Sequence, residues 1–468
     1  MRAWFFSTLI ISGGVLGIAQ GRSSSSSSGA SVIDDSGPGT DVATVTDTGT
    51  STDGATCLDA PPASGFSNIA NGAGKQGIFG EHVAMALDDK GDPMIAYVHY
   101  DANGDSDGKD STLYFTRWDR CNGIWTAPVS IDVVGSVTGG GRQVSITRDA
   151  ATGAIGVAFQ HIGPPQPSLV NDTPEVWVGQ STDKGKTWTT SQLSEHNPLQ
   201  EGDIHTASDP SIAMNNGKMF VAYYQGNVDC DDLDGAPADT CNGWYAEGTS
   251  ASWTRSTLPN LPGGFGVEGS VNVALDSANK PAVAYLVTPF TAYNMQVAFW
   301  RPGSTVIKVT DSNNTQNDDP ALAMTFDGTK PRIVAELAIV ADGAAELVFD
   351  ESTDGITWDA PVTLPHDNTD GVASYEAIAA DGKGNLAIAA RSNTGTGDGV
   401  CGAPKLSRSS DGIAWTTCGA DTGKTHAATA GFFVNMAYST DGKLVMAFEL
   451  TNNQTDALGT GVALWREP

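Results

Sequence analysis

At 468 residues the chain has room for several ordinary domains or for one large all-β unit. Lys and Arg total 25 against 54 Asp and Glu, a formal net charge of -29. So acidic a chain repels phosphate backbones and anionic lipid headgroups, which excludes nucleic acid and charged membrane surfaces as partners and suits calcium and a saline exterior.

Arg2 is the only early charge, and an apolar run follows it from Ala3 to Ala19. With small residues at Ala19 and Gly21, this pattern predicts a secretory signal peptide over residues 1–21 and a secreted or cell-surface protein. The run is short for a membrane span and no second one follows, so no membrane insertion of the mature chain is expected. Residues 22–62 begin with the serine run Ser23 to Ser28 and continue in Asp, Thr, Gly and Ser. Such a composition cannot bury enough apolar surface to offset the entropy of ordering, and it predicts a disordered linker or stalk.

From residue 63 to 468 the sequence repeats. Seven segments share a short apolar stretch, a turn rich in Asp, Asn and Gly, and a second apolar stretch. They include HVAMALDDKGDPMIAYVHY (82–100), QVSITRDAATGAIGVAFQH (143–161) and DPSIAMNNGKMFVAYYQ (209–225), and the last is FVNMAYSTDGKLVMAFEL (433–450). A weaker hairpin follows each, as in STLYFTRW (111–118) and PEVWVGQS (174–181). Four strands per unit and this long period predict an all-β propeller of seven four-stranded blades, with six as the rival count. The last unit ends TGVALWREP without an outer strand, and residues 65–72 could supply one and close the ring.

Ser181, Asp183, Gly185 and Trp188 form a complete S-x-D-x-G-x-T-W motif, an Asp box. Ser352, Asp354, Gly355 and Trp358 form a tighter copy, and Ser409, Asp411, Gly412 and Trp415 a third. All three fall between the third and fourth strands of their units. The Asp is expected to cap the turn through backbone N–H groups, the Gly to take a positive φ and the Trp to pack between blades. With these motifs in phase with the repeat, residues 63–468 resemble the sialidase-like propeller superfamily. The resemblance implies a structural, peripheral role for the three Asp residues and a functional site at the axial mouth.

Sialidases use an arginine triad, a Tyr aided by Glu, and an Asp acid/base. Glu376 and Arg391, on one hairpin of the sixth unit around a Gly384-x-Leu386 turn, look like the Glu and second Arg of that set. They are the candidate catalytic residues. Arg142 is a loose stand-in for another Arg. Glu449 stands where a further Arg would be expected, and no Tyr takes the nucleophile's place by motif, although Tyr375 and Tyr438 are close in sequence. The remaining second-strand ends, His99, Gln160, Tyr224, Glu336 and Glu449, complete a polar set able to bind a sugar or to line a wet channel.

Six cysteines in an exported chain predict disulfides, paired as Cys57–Cys121, Cys230–Cys241 and Cys401–Cys418. Asp101, Asn103, Asp105, Asp107 and Asp110 alternate oxygen ligands along a loop and form a candidate calcium site. The histidines lack zinc spacing. Two functions from different classes fit these residues. One is a monomeric glycosidase-like protein acting on an extracellular carbohydrate or glycoprotein. The other is a non-catalytic adhesin or lectin-like propeller.

Overall fold

The computed structural model describes residues 57–70, 77–101, 111–131, 142–162, 174–194, 205–227, 241–262, 265–289, 296–311, 321–339, 345–364, 372–392, 405–419, 430–450 and 461–468. The chain divides into two units, Met1–Ala55 and Thr56–Pro468. The first unit lies outside the described residues, as does the expected signal peptide. The second is all-β: seven sheets, one per blade, and the rival count of six does not hold.

The first strand, β1 (Gly65–Ala70), belongs to the last blade. Blade 1 contains β2 (Gly77–Leu87), β3 (Pro93–Asp101), β4 (Ser111–Asp119) and β5 (Ile124–Trp125), with β6 (Val129–Ser130) also pairing on β4. Blade 2 runs β7 (Arg142–Arg148), β8 (Ile155–Ile162), β9 (Pro174–Ser181) and β10 (Thr189–Gln192), and blade 3 runs β11 (His205–Asn215), β12 (Lys218–Asn227), β13 (Cys241–Thr249) and β14 (Ser252–Thr257). Blade 4 is β15 (Phe265–Leu275), β16 (Pro281–Pro289), β17 (Gln296–Trp300) and β18 (Ile307–Asp311); blade 5 is β19 (Leu322–Asp327), β20 (Lys330–Ile339), β21 (Ala345–Glu351) and β22 (Val362–Thr363). Blade 6 is β23 (Val372–Ala380), β24 (Leu386–Ser392), β25 (Lys405–Ser409) and β26 (Thr416–Gly419). Blade 7 has β27 (Ala430–Tyr438), β28 (Leu444–Leu450) and β29 (Gly461–Arg466), and β1 completes it by pairing Gly65 with Arg466 and Phe66 with Trp465. First and last strands thus share one sheet, which closes the ring as the sequence led one to expect.

In four blades the hairpin between the first two strands opens on an aspartate. Asp88, Asp149, Asp276 and Asp381 each accept a backbone N–H two residues on, from Lys90, Ala151, Ala278 and Lys383. The carboxylate imitates a backbone carbonyl and fixes the turn locally, which is why the D-x-x-G-like signal recurs in the sequence. Blades 3 and 5 use two-residue turns, at Asn216-Gly217 and Gly328-Thr329.

Every seam between neighbouring blades is apolar. The seam of blades 1 and 2 buries Leu113, Phe115, Val157 and Phe159, and the seam of blades 6 and 7 buries Leu406, Met446 and Phe448. Removing one such aromatic ring would cost about 3–5 kcal/mol in transfer and cavity terms. Innermost strands add polar stitches from blade to blade. Ile212 N–H donates to Ser145 Oγ at 3.2 Å, and Val273 N–H donates to Ser211 Oγ at 3.0 Å. Small side chains near the axis leave backbone groups within reach of the next blade.

Candidate functional site

Strand alternation gives the ring two unlike ends. At one end lie the first-to-second strand turns and the third-to-fourth strand turns, including the three Ser-x-Asp turns. At the other, the mouth end, innermost strands begin and second strands finish.

The Ser-x-Asp turns are built as expected. Ser181 Oγ donates to Asp183 Oδ1 at 2.8 Å and accepts Gly185 N–H at 2.8 Å, while Asp183 takes the N–H and the hydroxyl of Thr187. Those bonds favour the ionised carboxylate and pull the Asp183 pKa down to about 2. Asp354 accepts from Ile356 and Thr357, and Asp411 from Ile413 and Ala414. Trp188, Trp358 and Trp415 each meet a ring of the preceding blade edge-on: Phe115, Phe299 and Phe349, at 5.2, 5.3 and 5.0 Å. Trp188 and Trp415 donate Nε1–H to Gly185 and Gly412 carbonyls, whereas Trp358 Nε1 has no partner among the described residues. These side chains hold blades together, at the end away from the mouth.

The same turns provide a ruler for the other end. Ser181 pairs with Ile155, Ser409 with Leu386, and Ser352 N–H donates to the Pro331 carbonyl. Five residues further along each second strand stand Gln160, Arg391 and Glu336. The same count from Leu444 and Met219, the first apolar residues after their turns, gives Glu449 and Tyr224. Glu336, Arg391 and Glu449 therefore occupy one level in three successive blades. Alternation sends this position toward the following blade, and Gln160 Nε2 indeed donates to the Ala207 carbonyl of blade 3 at 3.1 Å. Glu336 and Glu449 are each 3% exposed and Gln160 and Tyr224 each 8%.

His99 falls one residue beyond this level, on the opposite face of its strand, where it tilts against Tyr114 at 6.2 Å. In blade 2 the equivalent place is His161, which tilts against Trp177 at 5.6 Å. Burial alone drives its pKa down to about 4, so the ring is neutral at pH 7. Sequence reasoning singled out Gln160 and passed over its neighbour His161. The recurring pair of a second-strand His and a third-strand aromatic was the available signal. Lys405, the first residue of β25, is 8% exposed and pairs in backbone register with Ala390.

The two catalytic candidates lie on adjacent strands but not opposite each other. Arg391 pairs with Ala373, and Glu376 falls in the register shift between Ala373 and Ala377. Such a shift recurs on the mouth side of the innermost strand in blades 1, 2, 3, 4, 6 and 7. At three of these bulges the chain turns left-handed at a non-glycine residue: His82, Gln143 and Asp209, with φ of 56, 48 and 50°. Bulges of this kind re-aim side chains and gather near functional sites. The strain, of order 1 kcal/mol or more each, is offset at one of them, where Asp209 N–H donates to Gln143 Oε1 at 2.6 Å. Arg142 opens β7 beside Gln160. Tyr375 lies at the mouth end of its strand, but Tyr438 ends β27 at the far end, next to Leu444, and has no place at the mouth.

Lys184, Lys186, Arg301, Arg332, Arg408 and Arg466 all sit at the end with the Ser-x-Asp turns. The segment 228–240, between β12 and β13, is acidic in sequence: it contains Asp229, Asp231, Asp232, Asp234 and Asp239 and no Lys or Arg. Of the candidate calcium ligands, Asp101 ends β3 and Asn103, Asp105, Asp107 and Asp110 lie outside the described residues. Among the described residues no group of three or more His, Cys, Asp or Glu is placed to hold a metal ion.

Cys57 and Cys121 form a disulfide, as expected. Cys230 and Cys401 lie outside the described residues, so the other two pairings do too; Cys241 and Cys418 sit in β13 and β26. No helix among the described residues is long and apolar enough to cross a membrane.

No protein-family model matches the sequence, and no curated protein resembles it in sequence. The fold is similar to solved structures. The GH93 alpha-L-arabinofuranosidase of Fusarium graminearum in complex with arabinobiose superposes with a TM-score of 0.52 at 10% identity, over 86% of this chain and 97% of that one. The same fungus's arabinofuranosidase with an iminosugar inhibitor gives 0.51 at 11%, over 87% and 98%. Trypanosoma rangeli sialidase with the inhibitor DANA gives 0.46 at 15%, over 75% of this chain and 57% of that one. The likeness to the arabinofuranosidases is one of fold.

Proposed function

We propose that this protein is secreted and recognises an extracellular glycan at the mouth of its propeller. The observation that carries the reading is the level of polar second-strand ends: Gln160, Tyr224, Glu336, Arg391 and Glu449, in five of seven blades. Buried polar groups converging on one end of a rigid ring suit a ligand made of hydroxyls, which needs donors and acceptors held in place. Three in-phase Asp-box motifs support the family resemblance, and a disulfide fits an oxidising compartment. A glycosidase with this fold has been solved with arabinobiose, which agrees with a carbohydrate ligand.

A second reading, hydrolysis, is favoured by two buried carboxylates, Glu336 and Glu449, one blade apart from Arg391 on either side. Glycosidic bonds are commonly cleaved between a carboxyl pair, one as acid and one as base or nucleophile. The experiment for both readings combines a glycan array with a panel of fluorogenic glycosides, sialosides included, on the wild type and on Arg391→Ala. Binding or turnover by the wild type, lost in a variant of unchanged melting temperature, is the expected result. Equal affinity in the two proteins would defeat the role of Arg391, and silence across array and panel would defeat the glycan reading.

A further inference from the structure

We propose that Asp209 is a ligand-contacting residue of the mouth, and that Gln143 and Gln160 are the positioning residues that aim it. The inference rests on the glycan reading above and names a site residue for it.

Sequence chemistry argues against the backbone that Asp209 adopts. Pro210 follows it, and a residue before proline is steered toward extended backbone with negative φ. Asp209 instead has a φ of 50°. It lies in the bulge of blade 3: Ser208 pairs with Tyr224 and Ser211 with Ala222, so Asp209 and Pro210 together stand opposite Tyr223. In the far-end turns of blades 2 and 3 glycine takes such a position, at Gly153 and Gly217, with φ of 75 and 76°. Glycine does so without strain. At the mouth the chain keeps a side chain where glycine would sit more easily, and non-glycine residues held this way gather where a side chain has work with a ligand.

Blade 2 holds this backbone from two sides. Gln143 Oε1 accepts Asp209 N–H at 2.6 Å, and Gln160 Nε2 donates to the Ala207 carbonyl at 3.1 Å. One glutamine is acceptor and the other donor, and they take the two peptide groups that flank Ser208. Gln143 is itself left-handed, at 48°, in the bulge of its own strand. Gln160 is 8% exposed and commits its amide to the neighbouring blade. Together they fix the direction in which Asp209 leaves the chain, beside the level that Tyr224 marks in this blade. Asp209 is half-buried, so part of it reaches the surface there. Its carboxylate has partners within the fold, the Ser208 hydroxyl at 3.2 Å among them. Contact with a ligand does not need an idle group: four lone-pair sites let the carboxylate accept a sugar hydroxyl as well, in a charge-assisted hydrogen bond. Gln160 on this view orients another residue and does not itself touch the sugar.

The test reads wild type and variants on a broad glycan array, with arabinobiose among the printed sugars, and follows each melting temperature. Asp209→Asn removes the charge and keeps a residue that tolerates left-handed backbone. Its affinity should fall at least about tenfold with the melting temperature unchanged. Asp209→Gly suits the backbone and lacks the side chain altogether; it should show the same loss, and it decides the matter if the Asn variant folds poorly. Gln143→Ala and Gln160→Ala should each weaken binding several-fold in the wild-type background and hardly at all in Asp209→Asn, because aiming the carboxylate matters only while it is present. Wild-type affinity in both Asp209 variants would overturn the inference and leave the glycan reading standing. Equal losses from the glutamine variants in both backgrounds would overturn their positioning role. Silence of the wild type across the array would overturn the glycan reading and the inference with it.

Discussion

Arg301, just past the end of β17, donates from Nη1 to Asp276 Oδ2 at 2.9 Å, tying a third strand to the first turn of its own blade. Arg120 reaches Asp92 in blade 1 and Arg466 reaches Asp441 in blade 7 in the same manner. These are blades that lack a Ser-x-Asp motif between their third and fourth strands. Arg301→Gln leaves an almost buried carboxylate short of its charged partner and should cost about 2–3 kcal/mol. Lys330→Gln, an exposed change, should stay within about 0.5 kcal/mol. Urea unfolding of the two variants measures the difference.

Asp350 gives the protein an unusual response to pH. The residue is 1% exposed, neither carboxylate oxygen has a hydrogen-bond partner among the described residues, and burial raises its pKa from 3.8 to about 7. The folded chain therefore keeps this proton where the unfolded chain has released it. Stability should fall as pH climbs from about 4 to about 7, by a few kcal/mol at most, and level off above. Asp183, Asp354 and Asp411 act in the opposite sense, since their pKa values are lowered. Their contribution is present above the unfolded value and disappears only as pH falls through the folded one. Urea midpoints against pH for wild type and Asp350→Asn separate these effects. The variant should lose the slope between pH 4 and 7, and an unchanged slope would remove Asp350 as its cause.

Gly185 tests how closely blades approach. It has a φ of 83°, and an added Cβ would lie 2.0 Å from Phe115 Cε1 in the neighbouring blade. Gly217 has a similar φ of 76° with open space around it. Gly217→Ala should cost about 1 kcal/mol from backbone strain alone. Gly185→Ala should cost at least about 3 kcal/mol, the excess reporting the overlap with Phe115. Equal melting temperatures for the two would show that blade 1 can yield.

The fold was legible because its signals are local. Asp88, Asp149, Asp276 and Asp381 bond within their own turns, and Ser181, Ser352 and Ser409 open their motifs with the same hydrogen bonds, so five of the seven blades announce themselves in sequence through these turns. The mouth was legible only as a list of strand ends. Whether a residue lies on the shared level depends on counting from a turn and on bulges that periodicity does not reveal. That is why His99 stands one residue past the level, why Glu376 falls into a register shift opposite no single partner, and why His161 went unnoticed. Arg301 with Asp276 was invisible for another reason: the partners come from different hairpins.

The Cys57–Cys121 disulfide joins residues 64 apart and should be worth about 2–4 kcal/mol. It sits at the third-to-fourth strand turn of blade 1, away from the mouth. Replacing both residues with Ser should lower the unfolding midpoint while leaving glycan affinity unchanged. A shift in affinity would mean that the two ends communicate.

That bond also decides where tension goes. β1, which closes the ring against β29, begins eight residues after Cys57. Were the chain free at residue 57, a pull from the preceding residues would peel β1 away one hydrogen bond at a time and open the propeller. With Cys57 bonded to Cys121, and with Leu58 and Ala60 N–H groups bonded to the Cys121 and Arg120 carbonyls, the pull is delivered instead to the outer hairpin of blade 1. A pull arriving from before residue 57 is thereby diverted from β1, whose pairing with β29 closes the ring.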